Sequence, residues 1–117
     1  MSNTPESKVL RACLKFLEDM GFYAWRNGVG AIQIRPGQFY RFGKPGSSDI
    51  LGVLPGGKVL AVECKADKGR LSDIQKEFLK AVESLGGVVV VARSTKDIEK
   101  ILCERGYLKT GILNFGE

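Results

Sequence analysis

Apolar positions recur every three to four residues over "VLRACLKFLEDM", and then the rhythm shortens. Val9, Leu10, Cys13, Leu14, Leu17 and Met20 fall on one stripe of a helix. Thr4 can cap it, Pro5 suits its first position, Glu6 favours the positive end of the dipole and Gly21 ends it. The run 22–26 predicts a strand, and 31–43 predicts two strands around the turn Pro36-Gly37. Two longer apolar runs, 49–54 and 58–65, are joined by Pro55-Gly56-Gly57 and predict a tight hairpin. A second helix starts at Ser72, which forms a capping box with Gln75, and ends at Gly86-Gly87. Its buried face is expected to carry Ile74, Phe78, Val82 and Leu85. "VVVVA" (88–92) is apolar throughout and predicts a central strand. The segment 94–106 predicts a third helix with Ser94 or Thr95 as cap, and the tail 107–117 a further edge strand. The order predicts an α/β fold, a mixed β-sheet flanked by helices. With 117 residues and no linker or repeat, residues 1–117 read as one domain.

The second hairpin carries charge where its pattern predicts burial. Alternation puts Val59, Ala61, Glu63 and Lys65 on one face of the strand, and Leu60, Val62, Cys64 and Ala66 on the other. Both faces are apolar before the charges begin, so the strand is interior. Because the strands are antiparallel, Asp49 at the start of the hairpin and Glu63 near its end lie at the same end of the sheet. A Glu–Lys pair alone reads first as a half-solvated ion pair that contributes little. A second carboxylate beside it changes that reading. Two adjacent carboxylates repel unless a cation lies between them or one is protonated. A hard divalent ion such as Mg²⁺ takes oxygen ligands and keeps several waters. It activates a bound water and stabilises charge on a phosphoryl oxygen, and Lys65 is placed to hold the water or neutralise the transition state.

Composition narrows the chemistry. The chain has no His, which excludes His-based catalysis and His-ligated metals. Its three cysteines, Cys13, Cys64 and Cys103, show no CxxC spacing and support neither a disulfide framework nor a zinc site. The net charge of +5 is compatible with an anionic partner. The polar start "MSNTPESK" predicts no signal peptide, no apolar run approaches membrane-spanning length, and a reducing cytoplasm is the expected compartment.

"GSSD" (46–49), "VECK" (62–65) and "DIQ" (73–75) resemble the signature of PD-(D/E)XK nucleases. With the leading Glu6, they resemble more narrowly the virus-type replication-repair nuclease domain, VRR-NUC, in its small stand-alone phage and bacterial form. The resemblance runs from about Glu6 to Ser94. It implies a PD-(D/E)XK core of a helix, three antiparallel strands, a helix and a further strand. It implies that Asp49, Glu63 and the backbone carbonyl of Cys64 bind Mg²⁺ or Mn²⁺, with Glu6 completing the acidic site through water or metal. Lys65 becomes the catalytic lysine, and Gln75 the helix glutamine near the active centre. Glu6 and Gln75 also have plain structural readings, as a dipole-favouring residue and half of a capping box. The family's proline before the aspartate is Ser48 here, which predicts a more mobile loop.

Lys44, Ser47 and Ser48 flank Asp49, and Lys68 and Arg70 follow the charged strand, so each is a candidate phosphate contact. Arg35, Gln38, Tyr40 and Arg41 alternate basic and aromatic groups on the first hairpin, which reads either as a nucleic-acid grip or as a solvated hairpin. Cys64 and Trp25 read as packing. The leading expectation is a metal-dependent, structure-selective DNA endonuclease, in a bacterial or phage-infected cell, that cuts four-way junctions as a homodimer. The alternatives are a non-catalytic nucleic-acid-binding protein on the same fold and a flap, nicking or RNA-directed nuclease. The tail "GILNFG", the first hairpin with Phe39, Tyr40 and Phe42, and a helix face are the candidate dimer surfaces.

Overall fold

The computed structural model describes residues 3–109. Helix α1 (Pro5–Asp19) is followed by β1 (Tyr23–Arg26), β2 (Gly30–Arg35), β3 (Gln38–Phe42), β4 (Ile50–Leu54) and β5 (Lys58–Cys64). Then come α2 (Asp73–Ser84), β6 (Val88–Ala92) and α3 (Thr95–Glu104). The expected caps are in place. Thr4 Oγ1 accepts from the Ser7 amide, Ser72 and Gln75 close their capping box, and Ser94 caps α3.

One four-stranded sheet has the order β1-β4-β5-β6, and β2 and β3 form a separate two-stranded sheet. In the main sheet β1–β4 and β4–β5 are antiparallel and β5–β6 is parallel. Leu60, Val62 and Cys64 point to one face, where they meet Leu10, Cys13 and Leu17 of α1 and Ile98 and Leu102 of α3 in the main core. The opposite face of β5 turns Ala61 and Glu63 toward α2. Helices therefore cover both faces of β5, which is why its last five residues, from Leu60 to Cys64, are all buried.

Three expectations are corrected. The strand β6 is at the edge of the sheet, not in its centre. An all-apolar run reports cover on both faces, and α2 and α3 supply that cover without a strand on the far side. The buried residue of α2 is Leu79, whereas Ile74 is 52% and Leu85 89% exposed. Both of the exposed residues sit at the ends of the helix, beyond the width of sheet it covers. Trp25 is 43% exposed and meets Tyr23 in a tilted ring contact on the same face of β1, with ring centroids 5.6 Å apart. The strand expected in the tail and the "GILNFG" surface fall mostly on residues 110–117, outside the described residues. Among the described residues, no helix is long and apolar enough to cross a membrane.

Candidate active site

The β4–β5 ladder assembles the charged end of the sheet. Ile50 pairs with Val62, so Asp49, one residue earlier, falls beside Glu63 and Cys64. Asp49 Oδ2 accepts a 2.8 Å hydrogen bond from the Cys64 amide, which fixes the carboxylate across the ladder. Glu63 is only 2% exposed. Its Oε2 accepts a 3.1 Å hydrogen bond from Gln75 Nε2, and the oxygen of the same Gln75 side chain, Oε1, accepts from the Ser72 backbone amide at 2.9 Å. One side chain thus closes the capping box and bonds to the buried carboxylate.

Lys65 is 8% exposed, with Nζ 3.7 Å from Glu63 Oε2 and 4.0 Å from Glu6 Oε1. This is no half-solvated pair at a strand end. The loop after β5 covers the lysine stem closely, and a Cβ at Gly69 would come within 3.3 Å of Lys65 Cδ. Burial, and next the Asp49 carboxylate, push the Glu63 carboxyl up to about 8, against the opposing pull of Lys65. Glu63 Oε1 is buried and has no hydrogen-bond partner among the described residues. Such an oxygen is costly unless something else binds it.

The segment 46–49 is tied to its surroundings on two sides. Gly46 has φ +84°, and a Cβ there would lie 2.7 Å from the Ile74 carbonyl oxygen, so only glycine lets the loop reach the first turn of α2. On the other side Asn27 Nδ2 donates to Ser47 Oγ at 2.7 Å and to the Ser48 carbonyl at 2.8 Å. Its amide donates to the Asp49 carbonyl at 2.7 Å, extending the β1–β4 ladder by one step. These bonds hold the loop that Ser48, in place of proline, was expected to loosen. Ser48 itself is 0% exposed and offers no surface to a phosphate, which corrects its reading as a contact. Lys44, Lys68 and Arg70 are exposed, Ser47 is partly so, and Arg35 and Arg41 stand exposed on the β2–β3 hairpin.

Asp49 opens into two clefts. One, of about 440 Å³, is lined by Asp49, Ser47, Ser72 and Gln75 on one side and by Arg26, Asn27, Val29 and Phe42 on the other. The second, of about 170 Å³, adjoins Glu6, Arg26 and Asp49. Sequence reasoning missed Arg26 and Asn27. Both follow from carrying the antiparallel ladder one strand further, since Arg26 pairs with Ile50 next to Asp49. It also missed Arg93, whose Nη1 donates to the carbonyls of Ala66 and Asp67 and shapes the loop that bears Lys68 and Arg70. The Cys64 thiol turns away toward Cys13, and that contact, with burial, holds it well above the usual thiol range. It is packing, as expected.

The donor set suits a hard cation. Asp49 and Glu63 supply carboxylate oxygens, one of them orphaned. Among the described residues no three or more His, Cys, Asp and Glu side chains are gathered into a metal cage. Mg²⁺ does not need one, because it is bound through one or two carboxylates and completed by water and substrate phosphate. The fit is to an ion that arrives with its substrate rather than one the protein encloses.

The VRR-NUC domain model matches residues 7–96 of the 117, a span that starts one residue after Glu6 and includes Asp49, Glu63, Lys65 and Gln75. Comparison with curated proteins and with solved structures gave no match. The match covers most of the chain, and the chain belongs to the VRR-NUC domain family of the PD-(D/E)XK superfamily.

Proposed function

We propose that this VRR-NUC chain is a Mg²⁺- or Mn²⁺-dependent endonuclease that hydrolyses phosphodiester bonds in DNA. The observation that carries the reading is the orphaned Oε1 of Glu63, on a buried carboxyl beside Asp49 whose other oxygen, Oε2, lies 3.7 Å from Lys65 Nζ. A structural ion pair would leave no such oxygen idle, and a binding module has no use for paired carboxylates facing phosphate. Asp49, Glu63 and the Cys64 carbonyl would hold the ion, with Glu6 acting through water. When bound, the cation lowers the pKa of a coordinated water and neutralises charge on phosphoryl oxygens. Lys65, positioned by Glu63 and Glu6, donates to the attacking water or to the phosphoryl oxygen. Gln75 keeps Glu63 in place. Lys44, Ser47, Lys68 and Arg70 flank the path of the phosphate backbone.

The substrate we propose is a four-way junction cut by a homodimer. A junction has approximate two-fold symmetry and must be cut on two opposed strands. A two-fold dimer supplies two sites in matching orientation. The test is cleavage of labelled linear, flapped and four-way DNA with Mg²⁺, Mn²⁺ or EDTA, with sedimentation at micromolar concentration. We expect a dimer, paired cuts in the junction and no cleavage in EDTA. Full activity in EDTA would overturn the chemistry. A monomer cutting linear duplex as readily as junctions would overturn the substrate and leave the chemistry standing.

A further inference from the structure

The β2–β3 hairpin has no structural work inside the domain. It forms its own two-stranded sheet, and every residue from position 31 to position 45 is exposed. Yet it is rich in large apolar groups. Ile32, Ile34, Phe39 and Tyr40 are each more than half exposed. An isolated two-stranded ribbon is marginal in water, and a bare apolar patch marks a binding surface. Phe39 and Tyr40 are consecutive, so their rings leave opposite faces of the ribbon. Tyr40 stands opposite Ile32 and Phe39 opposite Gln33, so each ring has a neighbour beside it on its own face.

Charge selects the occupant. Positions 20–48 hold four of the eighteen Lys and Arg residues, namely Arg26, Arg35, Arg41 and Lys44, and none of the thirteen Asp and Glu. The net charge of +5 therefore resides largely on this segment, and the rest of the chain is nearly balanced. Two such arms from two copies have no complementary charge to offer each other, whereas a polyanion does. A ribbon with aromatic rings on both faces and cations along it fits a nucleic acid with exposed bases. The base of the ribbon leads into the site, because Gly28, Val29 and Phe42 line the same cleft as Asp49 and Gln75. Phe42 folds over Gly30, where a Cβ would come 2.8 Å from its ring, so that glycine seats the ring at the cleft wall. Tyr40 lies two positions beyond Phe42, about 7 Å along the strand, or about two nucleotide steps of 3.4 Å.

We propose that the β2–β3 hairpin is a wedge for DNA branch points, stacking one unpaired base on Phe39 and another on Tyr40 while Arg35 and Arg41 hold the flanking phosphates. The proposal rests on the nuclease reading and deepens it, by naming what distinguishes branched from linear substrate. The ribbon separates the bases at the branch, and the cleft then receives a phosphodiester a few nucleotides away.

The test measures binding by the full chain in EDTA, so it does not depend on cleavage. Fluorescence anisotropy compares a four-way junction with a linear duplex of equal length, and 2-aminopurine at the branch reports base stacking. Phe39→Ala with Tyr40→Ala is expected to weaken junction binding about tenfold or more, to change duplex binding less than twofold and to abolish the 2-aminopurine response. Phe39→Trp with Tyr40→Trp is expected to retain all three. Circular dichroism melting controls for the fold, which these exposed positions leave intact. Equal losses on both substrates, or no loss, would overturn the wedge. So would a double-Ala variant that loses only self-association in sedimentation and regains junction binding at higher concentration, which assigns the hairpin to a second copy. A wild-type chain that binds junctions in this way yet never cleaves with Mg²⁺ counts against the nuclease reading alone.

Discussion

The two hairpins of this chain are built from the same materials and end in opposite places. The β4–β5 hairpin has Ile50, Leu54, Leu60 and Val62 at 0–2% exposure, whereas the β2–β3 hairpin has Ile32, Ile34, Phe39 and Tyr40 at 55–60%. Apolar-rich strands and a glycine-containing turn are common to both. The difference is cover. Helices α1 and α3 lie on one face of β5 and α2 on the other, while β2 and β3 have neither a helix nor a third strand. Burial makes the β4–β5 hairpin a place where charge is poised, because Glu63 cannot be satisfied by water. Exposure makes the β2–β3 hairpin a place where apolar surface is available. The chemistry is read from charge inside an apolar setting, and the partner from apolar groups outside it.

The largest expected effects fall on the buried hairpin. Lys65→Ala, Asp49→Asn or Glu63→Gln should lower single-turnover cleavage by about 10³-fold, with the thermal melt retained. Asp49→Asn should also tighten metal-free DNA binding, since it removes negative charge facing phosphate, and Glu63→Gln should do so only above about pH 8, where that carboxyl is ionised. An active Lys65→Ala enzyme would erase the functional side of the comparison. Next comes stability in urea. Leu60→Ala should cost about 2–5 kcal/mol, and Ile32→Ala should stay within about 0.5 kcal/mol. Similar losses at both positions would mean that the exposed ribbon is packed in solution.

The Glu63 carboxyl sharpens the contrast further. Its value is raised from an unfolded value near 4.5 to about 8 in the metal-free fold. The folded state therefore holds this proton more tightly, and the stability it contributes is fully present below pH 4.5 and is lost as pH rises through about 8. The metal-free melting temperature should fall over that window, Glu63→Gln should flatten the fall, and Mg²⁺ with DNA should restore stability at pH 8. A pH-independent melt for the metal-free wild type would contradict the burial of this charge. Asn27→Ala, which frees the loop before Asp49, should cost about 1–2 kcal/mol and slow cleavage without changing the metal requirement. The smallest effect belongs to the exposed ribbon. Arg35→Gln should reduce the slope of log K against log salt by about 0.9, and an unchanged slope would remove Arg35 from the phosphate contacts.

Much of this site is legible in the sequence because an antiparallel hairpin returns to its starting end. That geometry alone brings Asp49 to Glu63. The capping box predicts where Gln75 sits, but not that its amide is shared with Glu63, because a cap signal describes backbone and not the direction of the spare donor. The ladder carried one strand further places Asn27 beside Asp49 but does not show its side-chain bonds, since Ser47 and Ser48 lie twenty and twenty-one positions away with no period linking them. The edge position of β6 was hidden for another reason. A run such as Val88–Ala92 records what lies above and below a strand, not what lies beside it. Hydrophobicity alone places Ile74, Leu85 and Trp25 in the interior, but Ile74 and Leu85 sit at the ends of α2 and Trp25 on the edge strand β1, where exposure is 43% or more.

The parallel pairing of β5 with β6 bears on the order in which the molecule becomes competent. Leu60 pairs with Val88, and the Lys65 amide bonds to the Ala92 carbonyl at 2.9 Å, so the strand that carries both charges is completed by residues made much later. Such a crossover needs a long intervening segment and is slow to close compared with a local hairpin. The carboxylates can meet as soon as the β4–β5 hairpin forms, but Glu63 is gripped only after α2 brings Gln75, and Lys65 is fixed only after β6 docks. A chain still emerging from the ribosome therefore carries an open, hydrated charge cluster rather than a set trap. Pulse-labelling hydrogen exchange during refolding should find the Lys65 amide protected after the β4–β5 ladder, and simultaneous protection would remove the delay. Later protection of the Lys65 amide would make the topology a safety catch, which leaves the charged site unset until the fold is closed.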